Sequence, residues 1–121
     1  MIDKNELKKK YKETALPMGI FCIKNLANGK VYIGKSQNLN GKLNSLKFQL
    51  EHGSSVVKEL QSDFNKLGAA NFEFKILDFL EPKDGVNNDY DEELKVLEQM
   101  WLDNLEPFNE KGYNTKRIKH L

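Results

Sequence analysis

Residues 19–36 read GIFCIKNLANGKVYIGKS, two short β-branched and aromatic stretches on either side of Asn28-Gly29. Asparagine and glycine tolerate positive φ, so this dipeptide between apolar stretches predicts an antiparallel hairpin with arms at 18–24 and 30–34 and the turn at 25–29. The second arm closes on Tyr32, Ile33 and Gly34 and runs directly into Lys35 and Ser36. A hairpin that is only structural needs nothing so particular. The rest of the chain decides whether Tyr32 is packing or chemistry.

From Asn38 the apolar period changes. Leu39, Leu43, Leu46 and Leu50 fall on one stripe of an amphipathic helix that His52-Gly53 ends. Ser54 or Ser55 is placed to cap a second helix, with Val56, Leu60, Phe64 and Leu67 as its stripe and Gly68 as its stop. In NFEFKILDF, residues 71–79, Phe72, Phe74 and Ile76 alternate with Glu73, Lys75 and Leu77, the pattern of a half-buried strand. A turn-rich loop over 81–89 leads to a last helix opened by Asp89 or Asp91. It carries Leu94, Leu97, Trp101 and Leu105 and ends at Pro107. KGYNTK, 111–116, reads as irregular, and 3–14 as a short N-terminal helix. The fold class is therefore α+β, a small, mainly antiparallel three-stranded sheet flanked by helices. The expected organisation is a helical extension over 1–16, one domain over 17–115 and a basic tail over 116–121.

Composition removes several classes of function. A chain of 121 residues supports one core, and 39% hydrophobic with 31% charged residues is the balance of a folded, soluble domain. No apolar run approaches the roughly 20 residues of a membrane span, and the charged start lacks the apolar segment of a signal peptide. The single Cys22 forms no internal disulfide. With it the expected location is cytoplasmic and no membrane partner is expected. His52, His120 and Cys22 have no zinc-site spacing. The net charge is only +1, but it is polarised. Lys4, Lys8, Lys9, Lys10 and Lys12 crowd one end and Lys116, Arg117 and Lys119 the other, whereas 81–110 holds ten acidic residues against Lys83 and Lys95.

Glu98 is the discordant residue of the last helix, one position after Leu97 and three before Trp101. A carboxylate on that stripe is paired, metal-bound or at the rim of a pocket. The competing reading is a rim glutamate reaching water, with Tyr32 an ordinary aromatic at the core edge. Company favours chemistry. Lys35 and Ser36 lie on a loop opening a helix, where backbone N–H groups and the helix dipole suit a phosphate. Lys42 follows about one turn later, and Gly112, Tyr113 and Asn114 add a phenol and an amide. A carboxylate holding Mg²⁺, a phenol helping to activate water and a cation offsetting charge are the parts of a phosphodiester hydrolase.

These pieces together resemble the GIY-YIG nuclease superfamily. The half motifs appear as GIF, 19–21, and YIG, 32–34, followed by Ser36, the strand NFEFKIL, the glutamate of LEQMWL, and GYN, a match running from about 18 to 114. The resemblance implies an endonuclease dependent on Mg²⁺ (or Mn²⁺) with Tyr32, Lys42, Glu98 and Asn114 as catalytic residues and Glu98 as the metal ligand. It implies a nucleic acid, DNA foremost, as partner, contacted by Lys35, Ser36, Lys42 and Lys47. A protein partner or a homodimer is expected to supply targeting. Three positions depart from the family pattern. Phe21 keeps a ring and loses a hydroxyl, Lys42 stands where an arginine is usual, and Leu46 stands where a histidine is frequent. Lysine is a point charge where arginine is a planar fork, and one missing preorganised donor commonly costs on the order of 10²- to 10³-fold in rate. The alternatives to a slow enzyme are an eroded domain that binds nucleic acid, and a protein-interaction module built on the acidic helix with Tyr90, Trp101 and Phe108.

Overall fold

The structure, a computed structural model, describes residues 17–82 and 90–115. The expected N-terminal helix, most of the loop before the last helix and the basic tail lie outside these residues. Strand β1 (Gly19–Asn25) pairs antiparallel with β2 (Val31–Ser36) and with β3 (Phe72–Phe79), giving the order β2-β1-β3. Helices α1 (Leu39–Glu51), α2 (Lys58–Leu67) and α3 (Asp91–Leu105) complete the α+β fold. At the hairpin, Gly29 takes a φ of 82°. Asn28 keeps a negative φ and contributes its side chain instead, with Oδ1 accepting from the Lys30 N–H at 2.9 Å.

Alternation along the strands creates two buried faces. Phe21 and Ile23 point to one side, where they meet Leu39, Leu46 and Leu50 of α1 and Leu60 and Phe64 of α2. Ile20, Cys22 and Ile33 point to the other, toward α3, whose Leu94 is buried. A β-bulge between Ile20 and Phe21 pairs Phe21 with Ile76 and Ile20 with Asp78, leaving Leu77 as the extra residue. One inserted residue reverses which side chain faces which way. Asp78 is thereby turned to the α3 side, where its Oδ2 accepts from the Trp101 indole N–H at 3.0 Å.

Three expectations are corrected. Helix α2 begins at Lys58 without a side-chain cap, and Val56 is 81% exposed rather than part of its stripe. The Ser55 hydroxyl instead accepts from the Val57 N–H at 3.1 Å, just before the helix, and Gln61 reaches back to accept from the Ser55 N–H at 3.1 Å and donate to the Leu50 carbonyl at 2.9 Å. That brace uses the residues before α2 to close the end of α1. In α3 only Leu94 is buried, and Leu105 is exposed, so the helix grazes the sheet instead of sinking a full stripe. Finally, the segment after Pro107 is ordered by β2. A 3₁₀ turn at Asn109–Lys111 leads to a parallel bridge between Gly112 and Val31. Gly112 also lies tight against Pro107, where a Cβ would fall 2.3 Å from the Pro107 carbonyl oxygen.

Candidate functional site

Tyr32 lies in mid-β2 opposite Ile23, on the face that α1 and α2 cover. Because β2 is an outer strand, the ring packs at the core edge and stays half-buried. Gly34, on the same face, pairs with Phe21. A Cβ on Gly34 would fall 2.4 Å from Cζ of the Phe21 ring, so the YIG glycine makes room for that ring. Phe21, 1% exposed, is a core residue, 6.2 Å between centroids from Tyr32.

Glu98 comes from α3, on the opposite face, and is half-buried at the rim rather than within the core. Burial pushes the Tyr32 phenol above its ordinary pKa, and the Glu98 carboxylate pushes it further. Among the described residues no lysine offsets this effect on Tyr32. Lys42 is exposed on the first turn of α1. Lys47 is exposed as well. Five residues separate it from Lys42, about 140° around a helix, so the two flank opposite sides of the leucine stripe. Leu46 is in the core cluster. His52 stacks on Phe48 with centroids 4.0 Å apart, and its Nδ1 lies 2.9 Å from the Phe48 carbonyl oxygen, at the end of α1.

The expected phosphate cradle at the start of α1 is largely filled by the chain itself. The Ser36 hydroxyl accepts from the Asn38 N–H at 2.9 Å, the Pro17 carbonyl from the Leu39 N–H at 2.9 Å, and Asn38 Oδ1 from the Gly41 N–H at 3.0 Å. These are three of the four N–H groups that a helix start leaves without an intrahelical partner. Lys35 projects to the α3 side and pairs with Asp91 at 3.6 Å, which Lys95 also meets at 3.6 Å. Asn114 is engaged on both ends of its amide. Oδ1 accepts from the Ile33 N–H at 2.9 Å and Nδ2 donates to the Ile33 carbonyl at 2.8 Å. The aromatic residues considered as a docking surface are packed instead: Tyr90 is buried, Trp101 is bonded to Asp78 and Phe108 is half-buried.

The family of GIY-YIG catalytic domains matches residues 17–114. The chain belongs to this family. Among solved structures, the catalytic domain of homing endonuclease I-TevI superposes with a TM-score of 0.68 at 29% identity, covering 83% of this chain and 99% of that one. A glutamate-to-alanine mutant of the I-TevI catalytic domain gives a TM-score of 0.67 at 28% identity, covering 82% of this chain and 93% of that one. No curated protein matches the sequence. Among the described residues, no helix is long and apolar enough to cross a membrane.

For a GIY-YIG domain the donor set suits a hard divalent cation. Among the described residues no three His, Cys, Asp or Glu side chains converge on one point. One carboxylate completed by water and substrate phosphate oxygens is ordinary Mg²⁺ chemistry. Sequence reasoning missed Asn25, Lys30 and Asp63, which surround Tyr113. The phenol of GYN was the available signal, since a buried tyrosine requires a hydrogen-bond partner.

Proposed function

We propose that this domain is an endonuclease that hydrolyses nucleic-acid phosphodiester bonds, DNA foremost, with one divalent cation, Mg²⁺ or Mn²⁺, held by Glu98. The observation that carries this reading is the match of residues 17–114 to the GIY-YIG catalytic domain, with the Glu98 carboxylate close enough to Tyr32 to add to the upward push on its phenol. A bound cation supplies Lewis acidity toward a phosphoryl oxygen and cancels the carboxylate charge beside the phenol. With its pKa raised, Tyr32 keeps its proton at neutral pH. Its O–H donates to a phosphate oxygen while its oxygen accepts from the attacking water, orienting rather than deprotonating it. Lys42 contributes positive charge from the solvent side, without the two-point grip of an arginine, so turnover is slow. Asn114 acts by holding Ile33, next to Tyr32. Lys35, Ser36 and Lys47 contribute to binding, Lys35 only after leaving Asp91.

The test is nicking of supercoiled plasmid with Mg²⁺ or Mn²⁺, comparing the protein with Glu98→Ala. Nicking by the parent and its loss in the variant are expected. Equal nicking by both would assign the activity elsewhere. Salt-sensitive DNA binding without nicking by either would favour the eroded-domain reading.

A further inference from the structure

Both neighbours of Tyr32 on β2 are held from outside the sheet. The Tyr113 N–H donates to the Val31 carbonyl at 2.9 Å, and the Asn114 amide grips Ile33 at 2.9 and 2.8 Å. Tyr113 is itself anchored through its phenol. The hydroxyl donates to Asp63 Oδ2 on α2 at 2.6 Å and accepts from Nδ2 of the buried Asn25 at 3.0 Å. Lys30 sits 5.0 Å from the Tyr113 ring centroid and pairs with Glu59, also on α2. Successive side chains of extended backbone point to opposite sides. Tyr113 turns to α2 while Asn114 turns to β2, so slack at the one reaches the other through a single peptide unit. The same segment continues from α3, since the Asn114 N–H donates to the Pro107 carbonyl at 3.0 Å.

Building on the nuclease reading above, we infer that Asp63 and Tyr113 are a positioning pair, fixing the outer edge of β2, and with it Tyr32, relative to the helix that carries Glu98. Their bond joins a hydroxyl to a carboxylate, a charge-assisted contact stronger than a neutral one, and it lies on a buried ring. The high proton affinity of Tyr113, pushed up to about 12 chiefly by burial and then by Asp63, keeps the donor in place at any working pH. Neither residue touches the reacting atoms. Their effect passes through Asn114 and Ile33 to the tyrosine between two held neighbours.

The experiment uses the full chain, ¹⁵N-labelled, with Tyr113→Phe, Asp63→Ala, Asp63→Asn and the Tyr113→Phe/Asp63→Ala double variant. Amide exchange at Ile33 and Tyr113 is expected to accelerate about tenfold or more in Tyr113→Phe and Asp63→Ala, with Leu46 and Leu60 unchanged, as local opening requires. In plasmid nicking, kcat is expected to fall about tenfold at unchanged KM, the signature of misplacement rather than lost binding. Asp63→Asn, which keeps an acceptor, stays closer to the parent, and the double variant is no worse than either single one. Unchanged Ile33 exchange, additive losses, or faster exchange with unaltered kcat would each overturn the pair. If the parent itself does not nick plasmid, the nuclease reading fails separately. The exchange pattern then decides the pair, faster Ile33 exchange supporting it and unchanged exchange rejecting it.

Discussion

The two ends of β2 are secured by opposite means. Where β2 gives way to α1, two of the polar groups are satisfied by close neighbours in sequence, Ser36 serving Asn38 and Asn38 serving Gly41, while the Leu39 N–H reaches the Pro17 carbonyl. Along the outer edge, Val31 and Ile33 are satisfied by Tyr113 and Asn114, 81 residues away in the case of Ile33. The first end is closed mainly by local contacts. The second exists only when the whole domain has closed. A strand carrying the candidate reactive phenol is thus local at one end and dependent on the complete fold at the other.

Several substitutions would break or sharpen that contrast. The largest effect is expected from Gly112→Ala, whose Cβ would meet the Pro107 carbonyl oxygen at 2.3 Å. A loss of about 3 kcal/mol, measured by urea unfolding, is the scale of such overpacking. Alkaline titration reports the same segment. The Tyr113 pKa is about 12 in the fold against 10 for an ordinary phenol. The stability it contributes is therefore whole below pH 10 and is lost as pH rises through 12. About 2 kcal/mol is at stake, and the Tyr113→Phe variant should lack this part of the alkaline slope in pH-dependent melting.

Asn114→Ala and Asn38→Ala compare the two ends directly. The first strands a buried N–H and C=O on Ile33 and should cost about 2 kcal/mol, whereas the second removes one helix cap and should cost about 1 kcal/mol. Equal losses in denaturant midpoint would erase the distinction between local and closing contacts. The smallest effect belongs to Lys35→Met. Its pair with Asp91 spans 3.6 Å near the surface, so less than about 0.5 kcal/mol of stability is expected to change. A marked fall in DNA affinity in a gel shift would then assign Lys35 to binding rather than to holding α3.

How much of this was legible in the sequence follows the same division. The hairpin, α1 and β3 could be read because Asn28-Gly29, the leucine spacing and the Phe72 to Ile76 alternation act over a few residues. The start of α2 could not, because the Ser55 hydroxyl serves the Val57 N–H ahead of the helix, in a turn braced by Gln61, a side chain whose direction depends on packing. Glu98 stood out as a carboxylate on an apolar stripe, but its depth depended on how α3 meets the sheet, and it sits at the rim. Asn114 was visible as an amide and invisible as a brace, since its partner is set by the tertiary fold alone. The phosphate cradle was anticipated from a loop opening a helix, yet whether N–H groups there remain available depends on Ser36, Asn38 and the carbonyl of Pro17.

The bond pattern of Asn114 also bears on how this domain behaves among copies of itself. An outer strand ordinarily presents a row of unsatisfied N–H and C=O groups, a template on which a foreign strand can grow. Here one amide side chain occupies both groups of Ile33, and the Tyr113 N–H takes the carbonyl of Val31. At the opposite margin, β3 exposes the charged side chains of Glu73 and Lys75. The outer edge of the strand bearing Tyr32 therefore presents few free N–H and C=O groups to an incoming strand, its pairing sites already taken from within the same chain.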